Sequence, residues 1–309
     1  MSDFVQQYAA KIDFESMGSD SWVILSPIEI SIKRKIEAVG VPLKDWDIKI
    51  YRGVLTGYND AFIIATETRD GILNNCSTEE ERRRTEELIR PILRGRDIKR
   101  YGYEWAGLYL IATFPSRHYD IEEYPAVKEY LLSFGMERLE QTGKEYIVDG
   151  QKIKARKQTN NKWFETQDSI SYWDDFNKPK IIWGEISDRS KFSFDKNGQY
   201  VPEATTFLLV GNNIQGLYAF LNSSPAEWYF SKLGPRTGEG TIRWKKYTVE
   251  QIFAPHLSEL QMSQINYILS DKLDDIAILI NEWFYEFYGF SQEEIQYIND
   301  YFTAIVKNK

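Results

Sequence analysis

The residues that most suggest chemistry in this sequence form a basic, amide-rich stretch at 151–162, QKIKARKQTNNK, directly before Trp163. The stretch contains five Lys or Arg residues and no acidic residue. Lys and Arg neutralise phosphates, Asn can contact the edge of adenine, and aromatic rings stack on exposed bases. A solvated loop that precedes a core tryptophan would have the same composition. Composition alone therefore leaves both interpretations open.

A second basic region covers residues 236–246. It begins with the glycine-rich segment RTGEGT at 236–241 and continues with RWKK at 243–246. Loops with glycine hinges often carry function when rigid elements support them. The composition of this region does not identify a ligand.

A third candidate is the sequence GVLTG at 53–57, which superficially resembles a phosphate-binding loop. It lacks the Lys-Ser/Thr ending of such a loop and the spacing of a dinucleotide-binding motif. Gly57 permits a positive φ angle, and Asn59 and Asp60 favour turns. We therefore predict a turn here and no nucleotide-binding loop.

Side chains that could support catalysis occur without the neighbours they would need. The segments 47–49 and 97–99 both read Asp-Ile-Lys, which matches only the end of a nuclease acid-x-Lys pattern. Acidic residues within 174–188 would form a glycosidase pair only in a geometry that the sequence does not reveal. Neither His118 nor His256 has a nucleophile motif nearby. We predict no catalytic residue and no metal site in this chain.

Length and cysteine content narrow the class of protein. The chain of 309 residues exceeds one typical domain. Its single cysteine, Cys76, excludes internal disulfides and fits a reducing compartment. There is no apolar run of ~18 residues and no secretory start. We expect a cytoplasmic protein without a membrane partner.

The charge is unevenly distributed along the chain. The formal net charge of −8 argues against a protein that simply coats DNA. Residues 258–309 carry nine acidic and three basic residues, whereas residues 46–257 carry 30 of each. A locally basic face in the middle of the chain is compatible with these numbers.

Capping patterns predict at least six short helices. Each pattern has Ser or Thr followed three residues later by Glu or Gln. The predicted starts are Ser26, the pair Ser77-Thr78, Ser224, Thr248, Ser258 and Ser291. Between them lie strand-like runs at 48–51, 61–65, 108–112, 180–183, 191–194 and 207–210.

This irregular alternation predicts an α+β fold. We expect a mixed β-sheet domain with interspersed short helices, followed by a helical C-terminal appendage. The predicted division is an N-terminal connector with one helix at 1–45, the sheet domain at 46–257 and the appendage at 258–309.

The order of several motifs resembles the TaqI-like C-terminal specificity domain of adenine-specific DNA methyltransferases. That domain is also found in fused restriction-modification enzymes of the Eco57I type and in related phage-defence methyltransferases. The resemblance covers roughly residues 46–300. The motifs are GVLTGYNDAFII, LIRPILRGRDIKRYGY, YWDDFNKPKIIWGEIS, LNSSPAEWYF, RWKKYTVEQIFAP and FYGFSQEEIQYI.

The resemblance implies that this chain recognises double-stranded DNA beside an N-terminal methyltransferase domain. In that family the catalytic domain binds S-adenosylmethionine and holds a flipped adenine with an Asn/Asp-Pro-Pro-Tyr/Phe motif. This sequence contains no Pro-Pro pair. The resemblance therefore implies no cofactor on this chain, with S-adenosylmethionine on the methyltransferase domain, and no methylation by this chain alone.

The resemblance also implies which residues contact DNA. Specificity would come from loops, and Lys245 and Lys246 would hold phosphates. The remaining candidates are Thr56, Tyr58, Asn59, Lys152, Lys154, Arg156, Lys157, Asn160, Asn161, Arg189, Arg236, Thr237 and Arg243.

Two alternatives remain at this point. A carbohydrate-binding or carbohydrate-processing domain would use exposed Trp and Tyr rings with acidic pairs, and it fits the negative charge better. A protein-interaction scaffold in a defence complex would leave DNA contact to other subunits.

Overall fold

The computed structural model describes residues 25–233, 242–270 and 273–307. These residues form short strands and helices that alternate irregularly, which confirms the predicted α+β class. The strands are β1 (Gly40–Pro42), β2 (Ile48–Arg52), β3 (Ile63–Ala65), β4 (Ile89–Leu93), β5 (Ile98–Lys99), β6 (Gly102–Tyr103), β7 (Leu108–Ile111), β8 (Glu145–Val148), β9 (Gln151–Lys154), β10 (Lys180–Gly184), β11 (Ile186–Ser187), β12 (Phe192–Asp195), β13 (Val201–Pro202), β14 (Thr206–Gly211), β15 (Ile242–Arg243) and β16 (Phe253–Pro255).

Most helices are short. The α-helices are Pro27–Val39, Asn59–Phe62, Thr66–Asn74, Glu79–Leu88, Pro125–Leu132, Met136–Leu139, Ile214–Leu221, Ser224–Leu233, Lys246–Val249, Glu259–Leu269, Leu273–Phe287 and Gln292–Lys307. Single 3₁₀ turns lie at Leu43–Asp45, Gly95–Asp97, Pro115–Arg117, Ile121–Glu123 and Trp173–Asn177. None of the helices in the described ranges is both long and apolar enough to cross a bilayer.

The chain divides into two compact units that are discontinuous in sequence. The larger unit comprises residues 47–214 and 243–246, and the smaller comprises 1–46, 215–242 and 247–309. The domain boundaries predicted from the sequence, after residues 45 and 257, divide the chain into three continuous segments, and this division stays a prediction.

Two four-stranded sheets form the framework of the larger unit. The first has the order β12-β10-β14-β2 and is antiparallel throughout. The second has the order β13-β4-β7-β3, in which β13 pairs with β4 in parallel and the other pairs are antiparallel. The strands that the sequence predicted for one mixed sheet are therefore shared between two sheets, and only the second is mixed.

Both sheets contribute to one apolar core in the larger unit. Its fully buried side chains include Ile92, Leu110, Ile182 and Leu208. An ion pair lies within the same unit, because Lys180 Nζ donates to Asp195 Oδ2 at 2.6 Å and to the Phe176 carbonyl at 2.7 Å. Asp195 also accepts from the backbone N–H groups of Gln199 and Tyr200. A buried pair with this many hydrogen bonds fixes the β10–β12 edge.

Contacts between distant segments organise the smaller unit. Strand β1 pairs antiparallel with β16, and the rings of Trp46 and His256 stack with centroids 4.0 Å apart. The Lys35 ammonium donates to the Gly289 carbonyl and to Glu294, both at 2.7 Å. The first described helix is thereby tied to the last.

Most predicted helix starts are confirmed. Capping boxes are present at Ser26, Ser258 and Ser291, and Thr78 caps its helix by accepting from the Glu81 N–H. Thr248 is different because it lies inside the helix Lys246–Val249 and is buried. The predicted strand at 61–65 begins as a helical turn, Asn59–Phe62, and only Ile63–Ala65 is extended.

Candidate nucleic-acid interface

One buried arginine organises the loops that contain most of the predicted DNA contacts. The Arg156 guanidinium donates to four backbone carbonyls: Leu139 at 2.8 Å, Thr56 at 3.0 Å, Glu165 at 2.7 Å and Trp163 at 2.5 Å. Only 4% of the residue is exposed, and burial lowers its pKa to about 10. The guanidinium thus joins two loops and the end of the helix Met136–Leu139, and we call this arrangement the Arg156 hub.

The hub corrects the prediction that Arg156 contacts DNA. A guanidinium that donates to four protein carbonyls in a buried site has no exposed edge left for phosphate or base. The basic stretch at 151–162 therefore contains one structural arginine among surface lysines.

The turn at residues 56–59 is held by the hub and by its own hydrogen bonds. Thr56 is fully buried, and its hydroxyl accepts from the Tyr58 N–H and donates to Asn59 Oδ1 at 2.6 Å. Gly57 has φ +77°, and a Cβ there would lie 2.9 Å from Gln167 Oε1. Thr56 is thus a structural residue, which corrects its prediction as a DNA contact. Asn59 remains exposed and Tyr58 half-buried.

The loop that follows Arg156 is folded onto itself. The Asn161 amide group donates to the carbonyls of Thr166 at 3.1 Å and Gln167 at 2.9 Å, so both of its donors are engaged. Asn161 therefore shapes the loop with both amide donors, and its contact with DNA stays a prediction. Lys157 and Asn160 are exposed on the same loop.

The lysines before Arg156 lie on a two-stranded hairpin of β8 and β9. A two-residue turn closes it, with Asp149 at φ +50° and Gly150 at φ +78°. Lys152 and Lys154 occupy alternate positions of β9 and therefore share one face with Ile147, which is 82% exposed. The Lys152–Glu145 ion pair at 2.6 Å is largely exposed and holds Lys152 only weakly.

Other elements position the second group of predicted DNA contacts, which comprises Arg189 and the basic region 236–246. Residues 243–246 join the larger unit where the Trp244 N–H donates to the Glu185 carbonyl and Trp183 Nε1 donates to the Trp244 carbonyl, both at 2.8 Å. Arg189, Arg243 and Lys245 are half-buried there, and Lys246 is exposed. Arg236 and Thr237 lie outside the described residues.

Two further basic residues, Arg138 and Arg52, accompany the hub, and neither was predicted from the sequence. The Arg138 guanidinium lies over the Tyr58 ring at 4.8 Å. Arg52 donates from Nε to the Ala204 carbonyl at 2.9 Å. Burial raises the pKa of Asp168, while the nearby charges of Arg52 and Lys157 act to lower it. Neither Arg138 nor Arg52 lies in a run of consecutive basic residues, so no charge run marked them.

An open cavity of about 430 Å³ lies elsewhere in the larger unit. The rings of Trp105, Tyr109 and Tyr200 line it together with Arg90 and Gln199. No carboxylate is among its lining residues, so it lacks the acid pair that glycoside hydrolysis requires. Within the described ranges, no three His, Cys, Asp or Glu side chains are grouped to hold a cation.

Known proteins match both the sequence and the fold. The type II methyltransferase M.PaeR7I of Pseudomonas aeruginosa is 20% identical over 281 residues, which cover 90% of this chain and 44% of that protein. The fold is similar to that of the type IIG restriction endonuclease BpuSI, with a TM-score of 0.52, 10% identity and coverage of 79% of this chain and 28% of that one. It is also similar to the type IIL restriction-modification enzyme MmeI, solved in complex with DNA, with a TM-score of 0.53, 12% identity and coverage of 86% and 36%.

The chain therefore spans less than half of the length of each of these proteins. The sequence-family model of the TaqI-like C-terminal specificity domain matches residues 90–252, which make up more than half of the sequence. This chain belongs to the TaqI-like C-terminal specificity domain family.

Proposed function

We propose that this chain is the sequence-specific recognition module for double-stranded DNA of an adenine-N6 DNA methyltransferase in a restriction-modification or phage-defence system. The observation that carries the proposal is the Arg156 hub, because it gathers the exposed cations of several loops on one support. Arg156 lies inside the segment that matches the specificity domain, residues 90–252. The name of the relative M.PaeR7I and the DNA-bound state of the fold neighbour MmeI support the same function.

Two kinds of contact are assigned to the exposed residues. Lys152, Lys154 and Lys157 neutralise phosphates and set the register of the protein on the duplex. Tyr58, Asn59 and Asn160 lie on turns beside them and contact base edges, since amides pair with adenine in the major groove. The second group extends the phosphate contacts through Lys245 and Lys246, together with Arg189 and Arg243. Arg236 and Thr237, which lie outside the described residues, are kept as candidate contacts from the sequence alone.

The chemistry itself is assigned to a methyltransferase domain outside this chain. That domain would bind S-adenosylmethionine and flip the adenine, while this module holds the flanking duplex. The assignment fits the absence of a Pro-Pro pair from the sequence. On this proposal the protein works on DNA in the cytoplasm and methylates nothing unaided.

The test is selection of bound molecules from a randomised duplex pool at ~20 mM salt, where phosphate contacts are strongest. We expect a short, non-random motif after sequencing. A parallel selection uses a variant with Lys154→Ala and Lys157→Ala, which should recover fewer molecules of the same motif. Absence of binding, or binding without any enriched motif, would contradict the proposal.

A further inference from the structure

A second stacked arginine, Arg117, lies close to the loops of the hub. Its guanidinium carbon is 3.7 Å from the centroid of the Trp173 ring and 5.8 Å from that of Tyr119. Arg117 is exposed, whereas Trp173 is partly buried and packs against the apolar core of the larger unit. The indole therefore rests on rigid structure and presents a face to the guanidinium.

Local hydrogen bonds hold the two residues together. Arg117 ends the 3₁₀ turn Pro115–Arg117, and the preceding residue, Ser116, donates twice to the loop that leads to Trp173. Its N–H donates to the Ser169 carbonyl at 3.2 Å, and its hydroxyl donates to the Ile170 carbonyl at 2.8 Å. The backbone thus fixes both partners of the stack.

The residue before Trp173 is fixed as well. The Tyr172 ring stacks on Tyr51 at 4.2 Å with an interplanar angle of 2°, and its hydroxyl donates to the Arg52 carbonyl at 2.8 Å. Tyr51 and Arg52 belong to β2 of the first sheet. The stack is therefore mounted on a sheet, which limits its movement.

One continuous loop connects this stack to the Arg156 hub. The hub contacts the carbonyls of Trp163 and Glu165, and the Asp168 N–H donates to the Leu55 carbonyl at 3.2 Å. Only four residues separate Asp168 from Trp173. Arg117 consequently lies on the same loop framework as Tyr58, Asn59 and Lys157.

Arg117 resembles Arg138 in lying over an aromatic ring, and it differs from three other arginines of the larger unit in what it contacts. Arg94 pairs with Asp97, Arg69 pairs with Asp70 and Glu86, and Arg156 donates to carbonyls. Within the described part of the chain, the Arg117 side chain makes ring contacts and no hydrogen bond or ion pair. Its guanidinium lies over the indole ring of Trp173, and its N–H groups stay available to a ligand.

We propose that Arg117 contacts a guanine base in the target DNA, donating two hydrogen bonds to the O6 and N7 acceptors of that base. The inference rests on the proposed DNA-recognition function and adds a specificity residue to it. Arg also binds phosphate through two parallel hydrogen bonds, but a phosphate contact carries no direct sequence information. The planar fork of a guanidinium held over an indole ring matches the two coplanar acceptors that guanine presents in the major groove.

The test compares motifs selected from a randomised duplex pool by the unmodified protein and by variants. In Arg117→Lys, charge is kept and the planar fork is lost. Arg83→Lys is the matched control, because Arg83 is 70% exposed and pairs only loosely with Glu87 on the helix Glu79–Leu88. We expect one G·C position to lose its preference by about 10-fold or more in Arg117→Lys and to keep it in the control.

Two additional arms identify the atoms involved. Replacing the guanine at that position with 7-deazaguanine removes the N7 acceptor, which should weaken binding of the unmodified protein and leave Arg117→Lys unaffected. Trp173→Leu keeps apolar bulk against the core but removes the stacking face. It should reduce the preference at the same position while the unfolding temperature shows that the fold persists.

Distinct results would overturn the inference. If Arg117→Lys keeps the motif unchanged, or if binding weakens equally for all sequences, Arg117 contacts phosphate or nothing. If Trp173→Leu folds and leaves the preference intact, stacking does not orient the guanidinium. If the unmodified protein enriches no motif, the proposed DNA-recognition function itself fails. Selection with the unmodified protein therefore distinguishes failure of that function from failure of the Arg117 inference.

Discussion

Individual residues of the basic stretch 151–162 have opposite roles despite similar chemistry. Arg156 is buried among carbonyls, whereas Lys154 and Lys157 on either side of it are exposed. Its acceptors belong to Thr56, Leu139 and Trp163, which are up to 100 residues away in the chain. No local pattern contains that information, so the sequence could predict a functional cluster but not which of its members supports the others.

Replacement of Arg156 should therefore cost stability before it affects DNA binding. Arg156→Met leaves buried carbonyls without donors, and we expect a loss of about 4 kcal/mol in the free energy of unfolding. Arg156→Lys retains the charge but has a single nitrogen with three donors, and should lose about 2 kcal/mol. Urea denaturation measures both values, with Arg138→Met as an exposed control. Equal stability of all three variants and the unmodified protein would show that the hub does not support the loops.

The exposed lysines should behave in the opposite way. We expect the double variant Lys154→Ala and Lys157→Ala to unfold normally, because both side chains are exposed. Each lost phosphate contact should reduce the slope of log K against log salt by about 0.9, so the slope should fall by about 1.8. Binding titrations at several salt concentrations provide this slope. The control carries Lys33→Ala and Lys44→Ala in the smaller unit, and an equal change in that control would remove the two lysines from the interface.

At the scale of elements, helix starts were predicted well from local sequence signals, whereas the pairing of strands was not. A capping box needs only residues within four positions, so the helix starts at Ser26, Ser258 and Ser291 could be identified from sequence. Strand β10 shows the limit, since it pairs with β12 and with β14 in a register that depends on distant segments. Its apolar residues fitted one mixed sheet as well as the antiparallel sheet that forms.

The β8–β9 hairpin provides a test at the same scale. Gly150 has φ +78°, and a Cβ at this position would meet open space, so any cost of substitution comes from the backbone alone. A β-branched residue in this conformation costs about 1–2 kcal/mol. Gly150→Val should therefore open the hairpin locally and speed amide hydrogen exchange in β8 and β9 by about 5–30-fold. Asp149→Asn, which suits the same turn type, is the control and should exchange normally. Equal exchange rates in Gly150→Val and the control would mean that this turn does not determine hairpin stability.

At the scale of the whole molecule, the negative charge is concentrated in one part of the sequence and the candidate interface lies in another. Residues 258–309 carry a net charge of −6 from nine acidic and three basic residues, while residues 46–257 are neutral. In the smaller unit, two of the acidic groups hold distant segments together. Glu29 accepts from Lys232, and Glu294 accepts from Lys35 at 2.7 Å and from the Ser31 hydroxyl at 2.6 Å.

These carboxylates make the stability of the smaller unit depend on pH in the acid range. Burial alone would raise the pKa of Glu294, but hydrogen bonds from Lys35 and Ser31 lower it below its ordinary value of 4.5. A lowered folded-state pKa contributes stability that is fully present above pH 4.5 and is lost as the pH falls through the folded-state pKa.

Glu294→Gln preserves an acceptor for the Ser291 N–H but removes the charge. We expect it to reduce the free energy of unfolding by about 2 kcal/mol at neutral pH, and this difference should shrink towards zero in acid, where the native carboxyl is also neutral. Urea denaturation of both proteins across the acid range isolates this contribution, since every other titrating group is shared. A difference that stays constant with pH would assign the effect to packing and not to the charge of Glu294.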